Sequence, residues 1–162
     1  MGVDKYQIVE RPGYRAVGLK WEGAYSHVHT LKEVIAEVNE RVKEFSSPVD
    51  PAIQLGLSYH LRPDGFSHYS VYEVPENEPV PEGMIEIYVP AMTCLMTSHE
   101  KGENIGLTYE EIYDWLKNNH YVPFEEQGTA YYDKLPIKHE RYPADRDLSD
   151  PHFDILIPVT KL

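Results

Sequence analysis

The sequence is poor in cysteine and in basic residues. One cysteine, Cys94, occurs among 162 residues, so an internal disulfide or a multi-thiolate zinc site is excluded. Lysine and arginine total 15 against 27 aspartates and glutamates, which gives a formal net charge of −12. Because a field of that sign repels phosphate backbones and anionic lipid surfaces, we expect no direct binding to nucleic acid.

Signals for membrane insertion and for several kinds of chemistry are also missing. No apolar run approaches the ~20 residues that span a membrane, and no basic segment followed by an apolar one opens the chain. Glycine-rich phosphate loops, Gly-x-Ser-x-Gly and His-Glu-x-x-His do not occur, so nucleotide binding, serine hydrolysis and zinc peptidase chemistry have no sequence support. A single cysteine suits a reducing compartment, and we expect a cytoplasmic protein without a cofactor or a membrane partner.

Tyrosine, in contrast, is abundant, with 13 residues against 4 phenylalanines. A tyrosine offers an apolar ring face together with a hydroxyl that needs a partner when it is buried. Strands that half face water explain this composition as well as an aromatic binding pocket does. The length and the 41% hydrophobic content fit one domain with a continuous core.

Two segments have the apolar spacing of amphipathic helices. Their apolar faces consist of Leu31, Val34, Ile35, Val38, Val42 and Phe45 in the first, and of Tyr109, Ile112, Tyr113 and Leu116 in the second. Thr30-x-x-Glu33 and Thr108-x-x-Glu111 have the pattern of a capping box, in which the threonine hydroxyl caps a free backbone amide. We therefore expect helices that begin at these two threonines.

Extended segments rich in β-branched and aromatic residues surround both helices. They are predicted at 5–10, 15–21, 53–60, 67–74, 84–89, 93–99, 135–142 and 153–159. The tetrapeptide Arg62-Pro63-Asp64-Gly65 predicts a hairpin turn. Because Thr30 and Thr108 are 78 positions apart and the same order of elements surrounds both, the sequence indicates an internal duplication.

These elements predict an α+β fold in one domain, residues 1–162, made of two strand-helix-strand-strand repeats. The repeats are placed at about 1–76 and 84–162, joined by an extended, acidic and exposed linker at 77–83. Neither half can bury its helix alone. We therefore expect a pseudo-twofold arrangement with both helices on one face of an antiparallel sheet and a central cleft along the axis.

Charged residues alternate in the segment 135–143. One face of a strand there would carry Lys138, Glu140 and Tyr142, and the other would carry Ile137, His139 and Arg141. A solvated edge strand blunted by its charges is one interpretation. The other is a carboxylate inside an aromatic cleft, where a cationic ligand would compensate its buried charge and the rings would add cation–π contacts.

Three patterns resemble the GyrI-like effector-binding domain over nearly the whole chain. They are Val9-x-x-Pro12-x-x-x-Ala16-Val17, the strand Ile137-Lys-His-Glu140-Arg-Tyr142 and the closing Phe153-Asp-Ile-Leu-Ile-Pro-Val159. This family includes gyrase-inhibitory proteins and the ligand-sensing C-terminal domains of AraC-type and MerR-type regulators. The resemblance implies a fold of two strand-helix-strand-strand repeats that binds a small molecule.

The resemblance also implies site residues. It places Glu140 in the pocket, where the glutamate meets the positive charge of a lipophilic ligand, and it assigns ligand contacts to Tyr69 and Tyr142. Trp21, Tyr113 and Trp115 are further aromatic candidates by predicted face alone. We expect a stand-alone binding protein of this kind, with a regulator or a gyrase-like protein as a possible partner.

Other functions stay open. Glu140 could act as the general base of a hydrolase for strained electrophilic natural products, and the acidic surface could serve a gyrase-type inhibitor module. One of the eight histidines could ligate a heme. His27 and His29 lack a third ligand at zinc-like spacing, and Cys94 lies in an apolar strand like an inert buried thiol.

Overall fold

The computed structural model describes residues 5–143 and 149–162. Within them it has two α-helices, α1 (Leu31–Glu40) and α2 (Ile105–Asn118). The nine strands are β1 (Gln7–Arg11), β2 (Tyr14–Ala24), β3 (Ile53–Arg62), β4 (Gly65–Val74), β5 (Ile85–Val89), β6 (Met92–His99), β7 (Tyr121–Pro123), β8 (Ile137–Pro143) and β9 (Phe153–Lys161). Short 3-10 helices, Tyr25–Thr30 and Arg41–Glu44, precede and follow α1.

All strands join one antiparallel sheet in the order β1-β6-β9-β8-β3-β4-β2-β5, with β7 added beside β9. We match β1 with β5, β2 with β6, β3 with β8 and β4 with β9. With this matching, the strand order read from one edge of the sheet is the same as the order read from the other edge. The symmetry point lies between β3 and β8, the two central strands. The predicted α+β fold with a pseudo-twofold arrangement is therefore confirmed, whereas the repeat boundaries at 77 and 83 stay a prediction.

Both helices pack on one face of the sheet, which we call the helix face. Alternation along the strands points Val17 and Tyr72 toward Val38 of α1, and it points Leu95 and Ile155 toward Ile112 of α2. Burial of such apolar side chains stabilises the fold by about 1.5–3 kcal/mol each. No helix among the described residues is long and apolar enough to cross a membrane.

The opposite face of the sheet is also partly buried. Leu55, Leu57 and Val71 form a core there with Ala16 and Val89. The β1–β2 connection lies against the β5–β6 connection, since a Cβ added at Gly13 would be 3.1 Å from Val89 O and from Ala91 N. The two edges of the sheet thus come together and partly enclose this second face.

Both helix starts differ from the predicted capping boxes. The N–H of Leu31 donates to Val28 O, because the 3-10 helix runs into α1 and leaves no free end for Thr30 to cap. Thr30 instead donates to His27 O. Helix α2 begins at Ile105, three residues before Thr108, because the side chain of Asn104 accepts the N–H of Leu107 and caps the helix.

Three further expectations need correction. Glu78 in the linker is 5% exposed rather than solvated, because its carboxylate accepts the backbone N–H groups of Ser46 and Ser47 at 2.9 and 2.7 Å. The short strand β7 was not predicted. The edge-strand interpretation of β8 is wrong, since β8 pairs with β3 on one side and with β9 on the other.

The remaining expected elements agree with the structure. β3 ends at Arg62 and β4 begins at Gly65, so the predicted hairpin turn is confirmed. Cys94 is 1% exposed, and burial raises the pKa of its thiol to about 11. At neutral pH the thiol stays protonated, which fits the interpretation as an inert side chain.

Candidate functional site

Glu140 lies on the helix face, in the middle of the sheet. Its backbone pairs with Gly56 of β3 and Ile155 of β9, and its side chain is half-buried. A Cβ at Gly56 would be 2.9 Å from the His68 ring and 3.0 Å from the Tyr142 ring. The glycine therefore leaves the space that these two rings occupy beside the glutamate.

Two tyrosine hydroxyls donate hydrogen bonds to the Glu140 carboxylate. Tyr142, two residues along β8, donates to Oε1, and Tyr109 of α2 donates to Oε2. Burial raises the pKa of Tyr109 well above its usual value, and the negative charge of Glu140 adds to this effect. The hydroxyl therefore keeps its proton at neutral pH and offsets part of the cost of burying the carboxylate.

Two cavities flank this contact. One of about 330 Å³ is lined by Glu140 and Tyr142 together with Ile105, Phe153 and Asp150. The other, of about 550 Å³, is lined by residues of α2 and of the segment leading into β8, among them Tyr109, Tyr113, Tyr132, Lys134 and Lys138. The hydrogen bond from Tyr109 to Glu140 ties α2 to β8 between the two cavities. We call the region of Tyr109, Lys138, Glu140, Tyr142 and Phe153 the Glu140 cleft.

The protein's own Lys138 side chain lies at this cleft. Lys138 places Nζ 5.2 Å from the centre of the Tyr109 ring, 2.9 Å from His60 Nε2 and 3.3 Å from Asp133 Oδ1. Burial lowers the pKa of Lys138. Burial, and then the charge of Lys138, lowers the pKa of His60 to about 4. His60 is therefore neutral at neutral pH and accepts from Lys138.

The structure brings some of the predicted site residues together. Glu140 and Tyr142 are in direct contact. Tyr113 lines the larger cavity, where the Nζ atoms of Lys117 and Lys134 lie 5.7 and 5.3 Å from its ring centre. Glu140, Tyr142 and Tyr113 therefore lie on the same side of the sheet, the side that α2 covers.

The other predicted residues lie elsewhere. Trp21 packs in an apolar cluster with Leu31 and Phe66, and its indole donates to Thr30 Oγ1 at 2.9 Å. Trp115 stacks on Tyr121. Tyr69 points to the opposite face of the sheet, where its ring centre is 5.8 Å from that of Tyr59.

Sequence reasoning missed two residues that contact the cleft. Tyr109 was assigned only to the apolar face of its helix, where a tyrosine in place of leucine signals that a buried hydroxyl needs a partner. Lys138 shares its predicted strand face with Glu140, but the spacing alone does not indicate a role for it. In the described part of the chain, no group of three or more His, Cys, Asp or Glu side chains could hold a metal ion.

Comparison with known protein families and sequences gives two matches. The model of the GyrI-like small molecule binding domain matches residues 4–160. The transcriptional regulator BrlR from Pseudomonas aeruginosa is 31% identical over 112 residues, which are 68% of this chain and 41% of that regulator. The match thus spans less than half the length of this relative.

Solved structures share the fold. The structure of SAV2435 bound to tetraphenylphosphonium has a TM-score of 0.69 at 14% identity, over 97% of this chain and 94% of that one. The C-terminal domain of EcmrR has a TM-score of 0.66 at 15% identity, over 97% and 98% of the two chains. At these identities the likeness shows a common fold.

Proposed function

Because this chain belongs to the GyrI-like small molecule binding domain family, we propose that its ligand is a lipophilic cation that binds in the Glu140 cleft. The carboxylate of Glu140 is the counter-charge, and Tyr109, Tyr142 and Phe153 form the aromatic walls. The observation that carries this proposal is the half-buried glutamate between two tyrosine hydroxyls at the edge of a cavity.

The position of Glu140 favours a charged partner. A carboxylate that is removed from bulk water loses hydration, and a hydrogen bond from a neutral hydroxyl offsets less of that loss than an opposite charge does. The attraction between opposite charges rises as the effective dielectric constant falls. A cation that enters the cavity beside Glu140 would therefore gain more from this carboxylate than from an exposed one.

The aromatic walls favour a cation that is also apolar. Lys138 already places its ammonium group over the Tyr109 ring, so this ring face accepts a positive charge. Such contacts contribute about 0.5–2 kcal/mol each. Burial of apolar ligand groups against Ile105 and Phe153, which line the cavity beside Glu140, stabilises the complex by about 25 cal/mol per Å² of buried surface.

The space available fits a bulky ligand. Cavities of about 330 and 550 Å³ lie on the two sides of the Tyr109–Glu140 contact, and drug-sized ligands occupy cavities of about 300–1,000 Å³. The contact consists of a side-chain hydroxyl and a carboxylate, so it can open by rotation of the side chains. Its opening joins the two cavities, and the cation replaces the hydroxyl beside Glu140.

Tetraphenylphosphonium is the first ligand to test, since SAV2435, which has a similar fold, was solved with this cation bound. Isothermal titration would compare it with tetraphenylborate, an anion of nearly the same shape. We expect the native protein to bind the cation and not the anion. In Glu140→Gln, which removes the charge and nearly keeps the shape, the affinity for the cation falls on the order of 10- to 100-fold, or about 1.4–2.7 kcal/mol.

Glu40→Gln is the matched control, because Glu40 is an exposed residue of α1 and the substitution changes the net charge equally. It leaves the affinity within about twofold, since surface charges are screened by salt. Equal binding of cation and anion, or an unchanged affinity in Glu140→Gln, contradicts the proposal. Hydrolysis and inhibition of a protein partner stay predictions without a structural observation of their own.

A further inference from the structure

A second aromatic cavity lies on the face of the sheet opposite to Glu140. Strand alternation turns Tyr59, Tyr69, Ile137 and His139 to that face. Together with Tyr131, from the segment that follows β7, they line a cavity of about 410 Å³. We call this the tyrosine cavity; the sheet itself separates it from the Glu140 side chain.

The mouth of the tyrosine cavity exposes large apolar side chains to water. Leu61, Tyr88 and Phe124 all line it and are 42%, 61% and 37% exposed. Water contact with apolar surface costs about 25 cal/mol per Å², and apolar patches of this kind mark binding sites on soluble proteins. A ligand that covers these side chains recovers that free energy.

The walls of the tyrosine cavity carry little charge. Among the described residues that line it, Glu126 at the exposed rim is the one with a formal charge at neutral pH. Lys20 approaches Tyr69, with Nζ 5.7 Å from the ring centre, but it is paired with Glu22 at 3.5 Å. A charged ligand would lose its hydration without an opposite charge in the walls.

One polar pair lies inside the cavity. The Tyr59 hydroxyl is 3.2 Å from His139 Nε2, and the two rings meet edge to face at 5.8 Å. His139 is 5% exposed, and burial lowers its pKa to about 4. The imidazole is therefore neutral at neutral pH, so the pair can donate to or accept from a ligand without a net charge.

A separate small void lies next to the tyrosine cavity. It has a volume of about 30 Å³, shares Pro90, Met92 and His139 with that cavity, and reaches Leu57 and Cys94 in the core of this face. Three charged residues, Arg11, Glu140 and Arg141, also line it. This inner space is roughly that of one or two water molecules.

We propose that the tyrosine cavity is a second binding site, which takes an uncharged aromatic molecule with one hydrogen-bonding group. The rings of Tyr59 and Tyr69 contact the aromatic part, and the Tyr59–His139 pair contacts the polar group. This site does not depend on Glu140, so the protein has one site for cations and one for neutral molecules on opposite faces of the same sheet.

N-phenyl-1-naphthylamine, an uncharged fluorophore with one N–H group, tests this site by fluorescence titration. We expect it to bind the native protein and to bind Glu140→Gln with an affinity within about twofold of native. Saturating tetraphenylphosphonium does not displace it. Ile87→Trp fills the cavity that Ile87 lines and lowers the affinity by about tenfold or more.

Ile85→Trp is the matched control, because Ile85 lies two residues earlier on the same face of β5 and is not a lining residue of the cavity. It leaves the affinity unchanged. Should Ile87→Trp fail to fold, Leu61→Trp narrows the exposed mouth instead. The proposal is overturned if native protein does not bind the fluorophore, if both filled variants bind it as native does, or if Glu140→Gln or tetraphenylphosphonium abolishes the binding.

Discussion

Two glutamates that are withdrawn from water, Glu78 and Glu140, are held in different ways. Glu78, in the linker between β4 and β5, accepts the backbone N–H groups of Ser46 and Ser47. Glu140, in the centre of the sheet, accepts the hydroxyls of Tyr109 and Tyr142. The described backbone donors to Glu78 are the amides of another connection, whereas the described donors to Glu140 are the hydroxyls of tyrosine side chains.

This difference fits a structural role for Glu78 and the binding role that we propose for Glu140. Backbone amides are fixed by the fold, so Glu78 keeps its partners as long as the 45–47 turn exists, and Arg15 holds the same segment by donating to the carbonyls of Pro75 and Glu78. Side-chain hydroxyls can rotate away and leave a carboxylate beside a cavity. A glutamate with exchangeable donors suits a ligand site, whereas one with fixed donors ties two segments together.

The largest expected effect is on stability, in Glu78→Ala. Removal of the carboxylate leaves two amides without their acceptor in a half-buried turn, and hydrogen bonds to charged groups contribute about 1.5–3 kcal/mol. We expect the free energy of unfolding to fall by about 2–3 kcal/mol in urea denaturation. The affinity for tetraphenylphosphonium stays at the native value.

Glu82→Ala is the control for this variant. Glu82 lies in the same linker, is exposed and contributes only its backbone carbonyl, which accepts from Arg41. Its substitution changes stability by about 0.5 kcal/mol or less. A loss of ligand affinity in Glu78→Ala at full stability would break the proposed division of roles.

A smaller effect is expected from pH. Burial raises the pKa of Glu78, but the amides of Ser46 and Ser47, together with the Ser46 hydroxyl and the charge of Arg15, outweigh it and lower the pKa below 4.5. The unfolded chain then binds more protons than the native one as the pH falls. Glu78 therefore contributes stability above pH 4.5, and this contribution is lost as the pH falls through the lower native pKa.

Urea midpoints of native protein and Glu78→Gln at about pH 6 and about pH 3.5 measure this contribution. The difference between the two proteins shrinks at the lower pH. His60 and His139, whose pKa values are lowered to about 4, destabilise both proteins in acid and cancel in the difference. A difference that stays constant or grows would show that the charge of Glu78 is not what stabilises the turn.

The fold and the centre of the proposed site could be predicted from local sequence patterns. Alternation along one strand is enough to place Glu140 and Tyr142 on the same face, because side chains of residues two apart point the same way. The helical spacing of apolar residues located both helices in the same local way. Helix α1 begins directly after Thr30 as predicted, but neither capping box forms, because the 3-10 helix leaves Thr30 no free helix end and because Asn104 caps α2 instead of Thr108.

The rest of the site depends on contacts between distant segments. A family resemblance can match the position of Tyr69 in its strand. The face of the sheet to which its side chain points, however, follows from the register of β4 against β3. Tyr109 and Glu140 are 31 residues apart and meet only because α2 packs over β8. Glu78 is similar: its partners at 46 and 47 come from another connection, and the acidic, proline-rich linker gives no sign of burial.

The smallest expected effect comes from Tyr109→Phe, which removes one donor from Glu140 and keeps the ring wall. If the hydroxyl leaves the carboxylate when a cation binds, its loss changes the affinity for tetraphenylphosphonium by about fivefold or less, in the direction of tighter binding. Tyr109→Ala also removes the ring face and weakens binding by about 0.5–2 kcal/mol. Titration of both variants against Leu107→Ala, an exposed residue of the same helix, separates the two contributions. A tenfold or larger loss in Tyr109→Phe would mean that the hydroxyl itself binds the ligand, and Glu140 would then resemble Glu78 in keeping its donors throughout.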